Sequence, residues 1–228
     1  AWLARWRSTT RPGGFTGGTL GHEPEPVTQP WKSTEHNADL AAAFTALARG
    51  GDTARWRAHG DAAARFVNAM WNDACRCFAS GAGADGVTPN PLLALDAQVW
   101  PLLALPQDAE RRRQVIGTAR ARLSAGGGFA YSEAARGVWT EGTAQMALLL
   151  RLSNQEEEAG ALLRALEAQR TPSGFYNAAA ATLETGLASE SDPAQMRRYF
   201  RLPHLGATAW VALAQQRFNP FTQTRALP

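Results

Sequence analysis

The sequence is short of most features that would make it a membrane, metal or nucleic-acid protein. No stretch approaches the roughly 20 consecutive apolar residues that a transmembrane helix requires, so no membrane partner is expected. There are two cysteines, Cys75 and Cys77, with one residue between them. A disulfide between such near neighbours is expected to be strained, and two thiols alone make an incomplete metal site, so both read as structural and leave the redox compartment open. The four histidines lack the paired spacing of a metal-binding motif, and no metal or other cofactor is expected. Charge of one sign is scarce as well: 23 Lys and Arg stand against 20 Asp and Glu, a net +3. The nearest thing to a basic run, Arg111-Arg112-Arg113 after Glu110, reads as a solvated helix face. Nucleic-acid binding would need a longer basic stripe with interleaved aromatics, so no such partner is expected. Almost nothing alternates with period two, which excludes extensive sheet and makes the class all-α.

What is present supports a globular domain. Hydrophobic residues make up 45% of 228, enough for one substantial core, and residues 1–228 read as a single domain. The opening Ala1-Trp2-Leu3-Ala4-Arg5-Trp6 resembles the middle of a helix, so a leader and upstream hairpins are expected to precede it. Residues 8–32 are rich in Gly and Pro and read as a long irregular segment of the kind that often carries function. Helical periodicity then predicts seven helices, over about 34–47, 53–72, 92–105, 108–124, 140–152, 155–169 and 205–217. Between them, 78–91, 126–128 and 171–193 are broken by Gly and Pro, with Gly174-Phe175-Tyr176 as a short extended piece.

One helix start is unusually polar. Trp31-Lys32-Ser33-Thr34-Glu35-His36-Asn37-Ala38-Asp39 leads into an apolar run, with Ser33 or Thr34 available as N-cap and Glu35 in the first turn, where the helix dipole favours an acid. A cap needs one polar residue there, and this stretch supplies four more. Similar starts recur around Leu95-Asp96-Ala97-Gln98-Val99-Trp100, Glu141-Gly142-Thr143-Ala144-Gln145-Met146 and Gly206-Ala207-Thr208-Ala209-Trp210-Val211. Aligned on alanines 38, 97, 144 and 209, they suggest helical hairpins, each with an apolar inner helix and a charged outer one. Stacked in a ring, such hairpins form an α/α toroid whose inner helices open on one mouth. Glu35, Asp39, Asp96, Glu141 and Gln145 would then face one basin.

On Trp31–Asp39, Leu95–Trp100, Trp139-Thr140-Glu141-Gly142-Thr143-Ala144-Gln145, His204–Trp210 and the closing Phe218-Asn219-Pro220-Phe221, the chain resembles the six-hairpin glycosidase-like superfamily. The likeness spans about residues 30–221 and points to no single family. It implies an (α/α)6-barrel and a carbohydrate-active enzyme of bacterial polysaccharide degradation, periplasmic or secreted rather than cytoplasmic. A full barrel has twelve helices, so the toroid is expected to be incomplete, preceded by missing hairpins, or completed by a second chain in a homodimer.

Hydrolysis of a glycosidic bond usually takes two carboxyl groups, one to protonate the leaving oxygen and one to activate water or attack. Glu35 and Glu141, each three residues before a shared alanine, form the expected pair in a glycoside hydrolase acting on a glucan-like oligo- or polysaccharide such as cellulose. Asp39 is an alternative base or a like charge tuning Glu35, with Asp96 and Glu133 in reserve. Among eight tryptophans, Trp31, Trp100, Trp139 and Trp210, with Tyr131, are candidate platforms for sugar rings. His36, Asn37, Asp96, Gln98 and Gln145 are candidate hydrogen-bonding groups to substrate. Two rival readings stand beside the hydrolase: a polysaccharide lyase on a uronate polymer, recruiting His36, Asn37, Tyr131 and Arg136, and a non-catalytic glycan-binding domain. A terpenoid-cyclase toroid is unsupported, because no Asp-rich run is present.

Overall fold

A computed structural model describes residues 3–22, 24–189, 192 and 194–225. Its helices are α1 (Thr34–Leu47), α2 (Thr53–Ala69), α3 (Leu95–Ala104), α4 (Ala109–Leu123), α5 (Thr140–Arg151), α6 (Glu156–Leu166) and α7 (Leu205–Gln215). Each begins within three residues of its expected start. The stretch at Leu3–Trp6 is a short 3-10 turn, while Ala1 and Trp2 lie outside the described residues. No helix among the described residues is long and apolar enough to cross a membrane.

The all-α expectation needs correcting, because among the described residues helix covers 44% and strand 20%. The strands are mostly two-residue pieces paired across hairpins in the Gly- and Pro-rich connections, too short to leave a period-two pattern. The longest, Leu183–Ala188, lies inside the segment expected to be irregular and pairs antiparallel with Met196–Tyr199 just beyond it. The cysteines also depart from expectation: Cys75 and Cys77 are joined by a disulfide. Arg76 between them takes a positive φ of 53°, and the turn brings the two Cα atoms to 5.2 Å, within bridging reach.

α1, α3, α5 and α7 form a row in which each packs on the next, while α2, α4 and α6 back α1, α3 and α5. α5 is the most enclosed: Thr140 and every residue from Gly142 to Leu150 are buried. The outer helices keep their charge in solvent, as at Arg113 on α4 and Glu156-Glu157 on α6. Trp100 of α3 and Trp210 of α7 bring their ring centroids to 5.9 Å although α5 lies between their helices, so the row curves into an arc.

A recurring clamp sets the register of this arc. Asn37 Oδ1 accepts from the Phe15 N–H at 2.8 Å, and Nδ2 donates to the carbonyls of Phe15 at 3.0 Å and Ser33 at 2.8 Å. Gln98 treats Phe78 and Ala94 in the same way, at 2.8, 2.8 and 3.2 Å. Thr143 Oγ1 accepts from the Phe129 N–H at 3.0 Å and donates to the Trp139 carbonyl at 2.8 Å. Thr208 Oγ1 accepts from the Tyr176 N–H at 2.9 Å and donates to the His204 carbonyl at 2.8 Å. Each clamp ties the fourth residue of an inner helix to an aromatic residue in the preceding loop. Buried loop backbone needs such partners, since an orphaned buried N–H or C=O is costly. The starts are also tied forward: the N–H groups of Thr34, Leu95 and Thr140 reach the carbonyls of Ser80, Tyr131 and Ala178 at 3.0, 2.8 and 3.0 Å.

The clamps correct the sequence alignment of the repeat. Asn37, Gln98, Thr143 and Thr208 are equivalent, so Ala38 matches Val99 rather than Ala97. The position two residues earlier then holds Glu35, Asp96, Glu141 and Gly206, and the position two residues later holds Asp39, Trp100, Gln145 and Trp210.

Candidate active site

The corrected register puts one carboxyl at the second residue of each of three adjacent inner helices. Asp96, on the middle helix α3, is flanked by Glu35 on α1 and Glu141 on α5. The Glu35 and Asp96 carboxyls meet within hydrogen-bond reach. Burial pushes the Glu35 pKa well above the usual carboxylate range; the Asp96 charge and its hydrogen bond, then Asp39 and Glu141, push the same way. Asp96 is also raised by burial, but several contacts oppose the shift. Its Oδ1 accepts from the Ala97 N–H at 2.6 Å, the Tyr131 hydroxyl and Glu35 hydrogen-bond to it, and the Arg197 charge acts on it. The anion is therefore better supported on Asp96, and the shared proton belongs on Glu35. Glu141, raised by burial and then by Asp96, reaches about 7. Asp39, one turn below Glu35, keeps an exposed edge, yet the protein around it raises its pKa to about 6.

Of these acids Glu35 and Asp96 line a cleft of about 520 Å³, together with Trp31, His36, Tyr131 and Arg197, while Glu141 and Asp39 stand outside its lining. A second cavity, of about 330 Å³, lies between Gly126–Phe129 and Glu158, away from the acids. Trp31 forms part of the rim, with its indole N–H on Gln29 Oε1 at 3.1 Å and His36 against its ring at 5.8 Å. The forward tie from Leu95 holds the Tyr131 backbone, and its hydroxyl reaches Asp96. Behind Tyr131 stand Trp139, edge-on at 4.8 Å, and Tyr199, at 5.8 Å. Burial and the surrounding carboxylates raise the pKa of both the Tyr131 and Tyr199 phenols, so both act as neutral hydroxyls.

Other candidates are placed differently. Asn37 and Gln98 have their amide groups occupied by the loop clamps, away from any sugar. Trp139 is 2% exposed and lies behind Tyr131 in the core. Trp100 packs with Trp210 and Phe221 beneath the cleft, at 5.9 and 5.3 Å. Gln145, one turn below Glu141, is fully buried, and neither end of its amide finds a hydrogen-bond partner among the described residues. Glu133 pairs with Arg122 on the surface, and Arg136 is exposed outside the cleft lining. Sequence reasoning passed over Arg197, Tyr199 and His204. The first two come from the hairpin strand Met196–Tyr199, whose four residues carry too little pattern to announce a strand. Among the described residues, no group of three His, Cys, Asp or Glu is arranged to hold a metal ion.

No protein-family model matches the sequence, and no curated protein is significantly similar to it. Solved structures do match its shape. A family 76 glycoside hydrolase from a bovine Bacteroides thetaiotaomicron strain superposes with a TM-score of 0.55 at 14% identity, over 97% of this chain and 57% of that one. A possible GH105 family member from Salmonella enterica serovar Paratyphi A superposes at 0.59 with 16% identity, over 94% and 62%. A polysaccharide lyase gives 0.54 at 14% identity, over 81% and 60%. The chain shares the fold of these structures. The chain spans about three fifths of the length of these structures.

Proposed function

We propose that this chain is a glycoside hydrolase that cleaves a glucan-like oligo- or polysaccharide by carboxylate acid/base catalysis. The observation that carries the proposal is the Glu35–Asp96 pair, a carboxyl kept protonated by a neighbouring carboxylate at an aromatic-rimmed cleft. In this reading Glu35 gives its proton to the glycosidic oxygen as the bond to the anomeric carbon breaks. Glu141, as carboxylate, takes a proton from the water that attacks that carbon. Asp96, between them, keeps the proton on Glu35 and sets its own negative charge near the developing oxocarbenium ion. Trp31 offers a flat apolar face to a pyranose ring. The arc is then part of an (α/α)6 barrel, and a polymeric substrate suits a periplasmic or secreted place of work.

A polysaccharide lyase is the second reading, favoured by Arg197 in the cleft lining, which suits a uronate carboxylate, and by the likeness to a lyase structure. Against it, Asn37 is committed to the Phe15 loop, and the raised phenol of Tyr131 makes a poor base.

Incubation with neutral glucans and with uronate polymers separates the readings. New reducing ends from a neutral glucan, lost in Glu35→Gln and Glu141→Gln by on the order of 10³ in kcat/KM, are the expected result. Full activity in both variants would overturn the assignment. An unsaturated, ultraviolet-absorbing product from uronate polymers alone identifies a lyase, and binding without cleavage identifies a glycan-binding module.

A further inference from the structure

The start of α7 differs from its three counterparts. Where α1, α3 and α5 carry Glu35, Asp96 and Glu141, α7 carries Gly206. Its backbone does not demand glycine, since Gly206 lies in the first turn of a regular helix and is absent from the glycines with positive φ. Glycine in a helix is less favourable than alanine, so conformation gives no reason for it.

Space does give a reason. A Cβ on Gly206 would lie 2.8 Å from Oε2 and 3.2 Å from Cδ of Glu141, and 3.1 Å from Cε1 of His204. The Glu141 carboxyl thus occupies the volume that a side chain on α7 would fill. It lies against a first turn whose N–H groups and dipole favour negative charge. His204 bounds the same space from the N-cap. Its Nδ1 accepts from the Ala207 N–H at 3.1 Å, which assigns the ring proton to Nε2 and locks the ring's orientation. That same Nδ1 lies 3.6 Å from Glu141 Oε2. On its other side the imidazole meets the edge of Tyr199, with centroids 6.0 Å apart.

We propose that Gly206 and His204 are positioning residues for Glu141: a deliberate gap and a fixed imidazole on α7 that hold its carboxyl beside Asp96. The proposal rests on the reading of Glu141 as the catalytic base. The titratable groups around that carboxyl are Asp96 from α3, Glu35 from α1, Tyr199 from the hairpin and His204 from α7.

Gly206→Ala tests it. Helix propensity alone makes this variant more stable and equally active. Displacement of Glu141 instead lowers kcat about 100-fold with KM within about twofold, because a shift of about 1 Å at a reacting group has that effect. It also leaves Tm no higher. The Glu141 carboxyl, followed by carbon NMR without substrate, then titrates below its midpoint of about 7 as it moves toward solvent. His204→Asn is the second variant: Asn can still cap α7, so Tm holds while kcat falls. A raised Tm with an unmoved Glu141 midpoint in Gly206→Ala would overturn the proposal. A moved midpoint in a protein that cleaves no glycan supports the positioning and removes only the hydrolase reading.

Discussion

Glu35 on α1 and Asp96 on α3 occupy the same position of neighbouring inner helices, and their carboxyls meet within hydrogen-bond reach. Two such groups at close range cannot both ionise easily, so one proton is retained between them. The Ala97 N–H and the Tyr131 hydroxyl favour the anion on Asp96, which gives the pair a direction. Glu141 completes the set from the other side.

The pH profile of activity follows from this order. kcat/KM is expected to rise as Glu141 ionises, through about pH 7, and to fall once Glu35, raised well above the usual carboxylate range, loses its proton. Because the groups interact, the two limbs report the cluster rather than single residues. Asp96→Asn removes the charge that holds the Glu35 proton, so the falling limb should move to lower pH. A falling limb unmoved in that variant would separate Asp96 from the acid.

Stability should respond to the same groups with a definite sign. The folded-state pKa of Glu141 lies above its ordinary 4.5, so the folded protein binds that proton more tightly than the unfolded chain. The contribution is complete below about pH 4.5 and is lost as pH rises to about 7, amounting to about 3 kcal/mol. Asp39 acts in the same direction up to about pH 6. Denaturant unfolding of Glu141→Gln between pH 5 and 7.5 should therefore show a shallower decline than the parent protein; parallel curves count against a buried Glu141.

The clamps make a purely structural prediction. Asn37→Ala leaves the Phe15 N–H and C=O unpaired in the interior, at a cost of about 3 kcal/mol. In a protein of this size Tm should fall by roughly 10 °C. KM measured below the new transition should be unchanged. A raised KM at unchanged Tm would return Asn37 to the substrate.

Trp31 provides the complementary case. It lies on the cleft rim with its indole N–H already bonded to Gln29, so its free contribution is a ring face. Trp31→Ala should raise KM about tenfold with kcat little changed, the pattern of lost ground-state binding. A fall in kcat at constant KM would place the ring nearer the reacting bond.

Helix positions were legible in the sequence because their apolar spacing and their caps are local signals. Ser33 caps α1 through the His36 N–H at 3.1 Å, and Asp108 caps α4 through the Arg111 N–H at 2.7 Å. The repeat was legible as a rhythm but misaligned at α3, because a shared alanine is a weaker marker than a shared hydrogen-bonding task. Asn37, Gln98, Thr143 and Thr208 do one job with three side-chain types, and only coordinates reveal the equivalence. The same blindness hid Arg197, which lines the cleft, and Tyr199, which backs Tyr131; both are brought there by a pairing between Leu183–Ala188 and Met196–Tyr199 that no local pattern declares. The cysteine bridge escaped because it depends on the left-handed backbone at Arg76.

The clamps span only 22, 20, 14 and 32 residues of chain. Each fastens a helix to the loop made just before it, and the forward ties fasten α1, α3 and α5 to the loop that follows the next outer helix. Neighbour-by-neighbour wiring of this kind lets order spread along the polypeptide from hairpin to hairpin, as in repeat proteins, without waiting for distant partners. Each inner helix settles against its own preceding loop as it emerges from the ribosome, and Trp210 closes over Trp100 only once α7 has appeared.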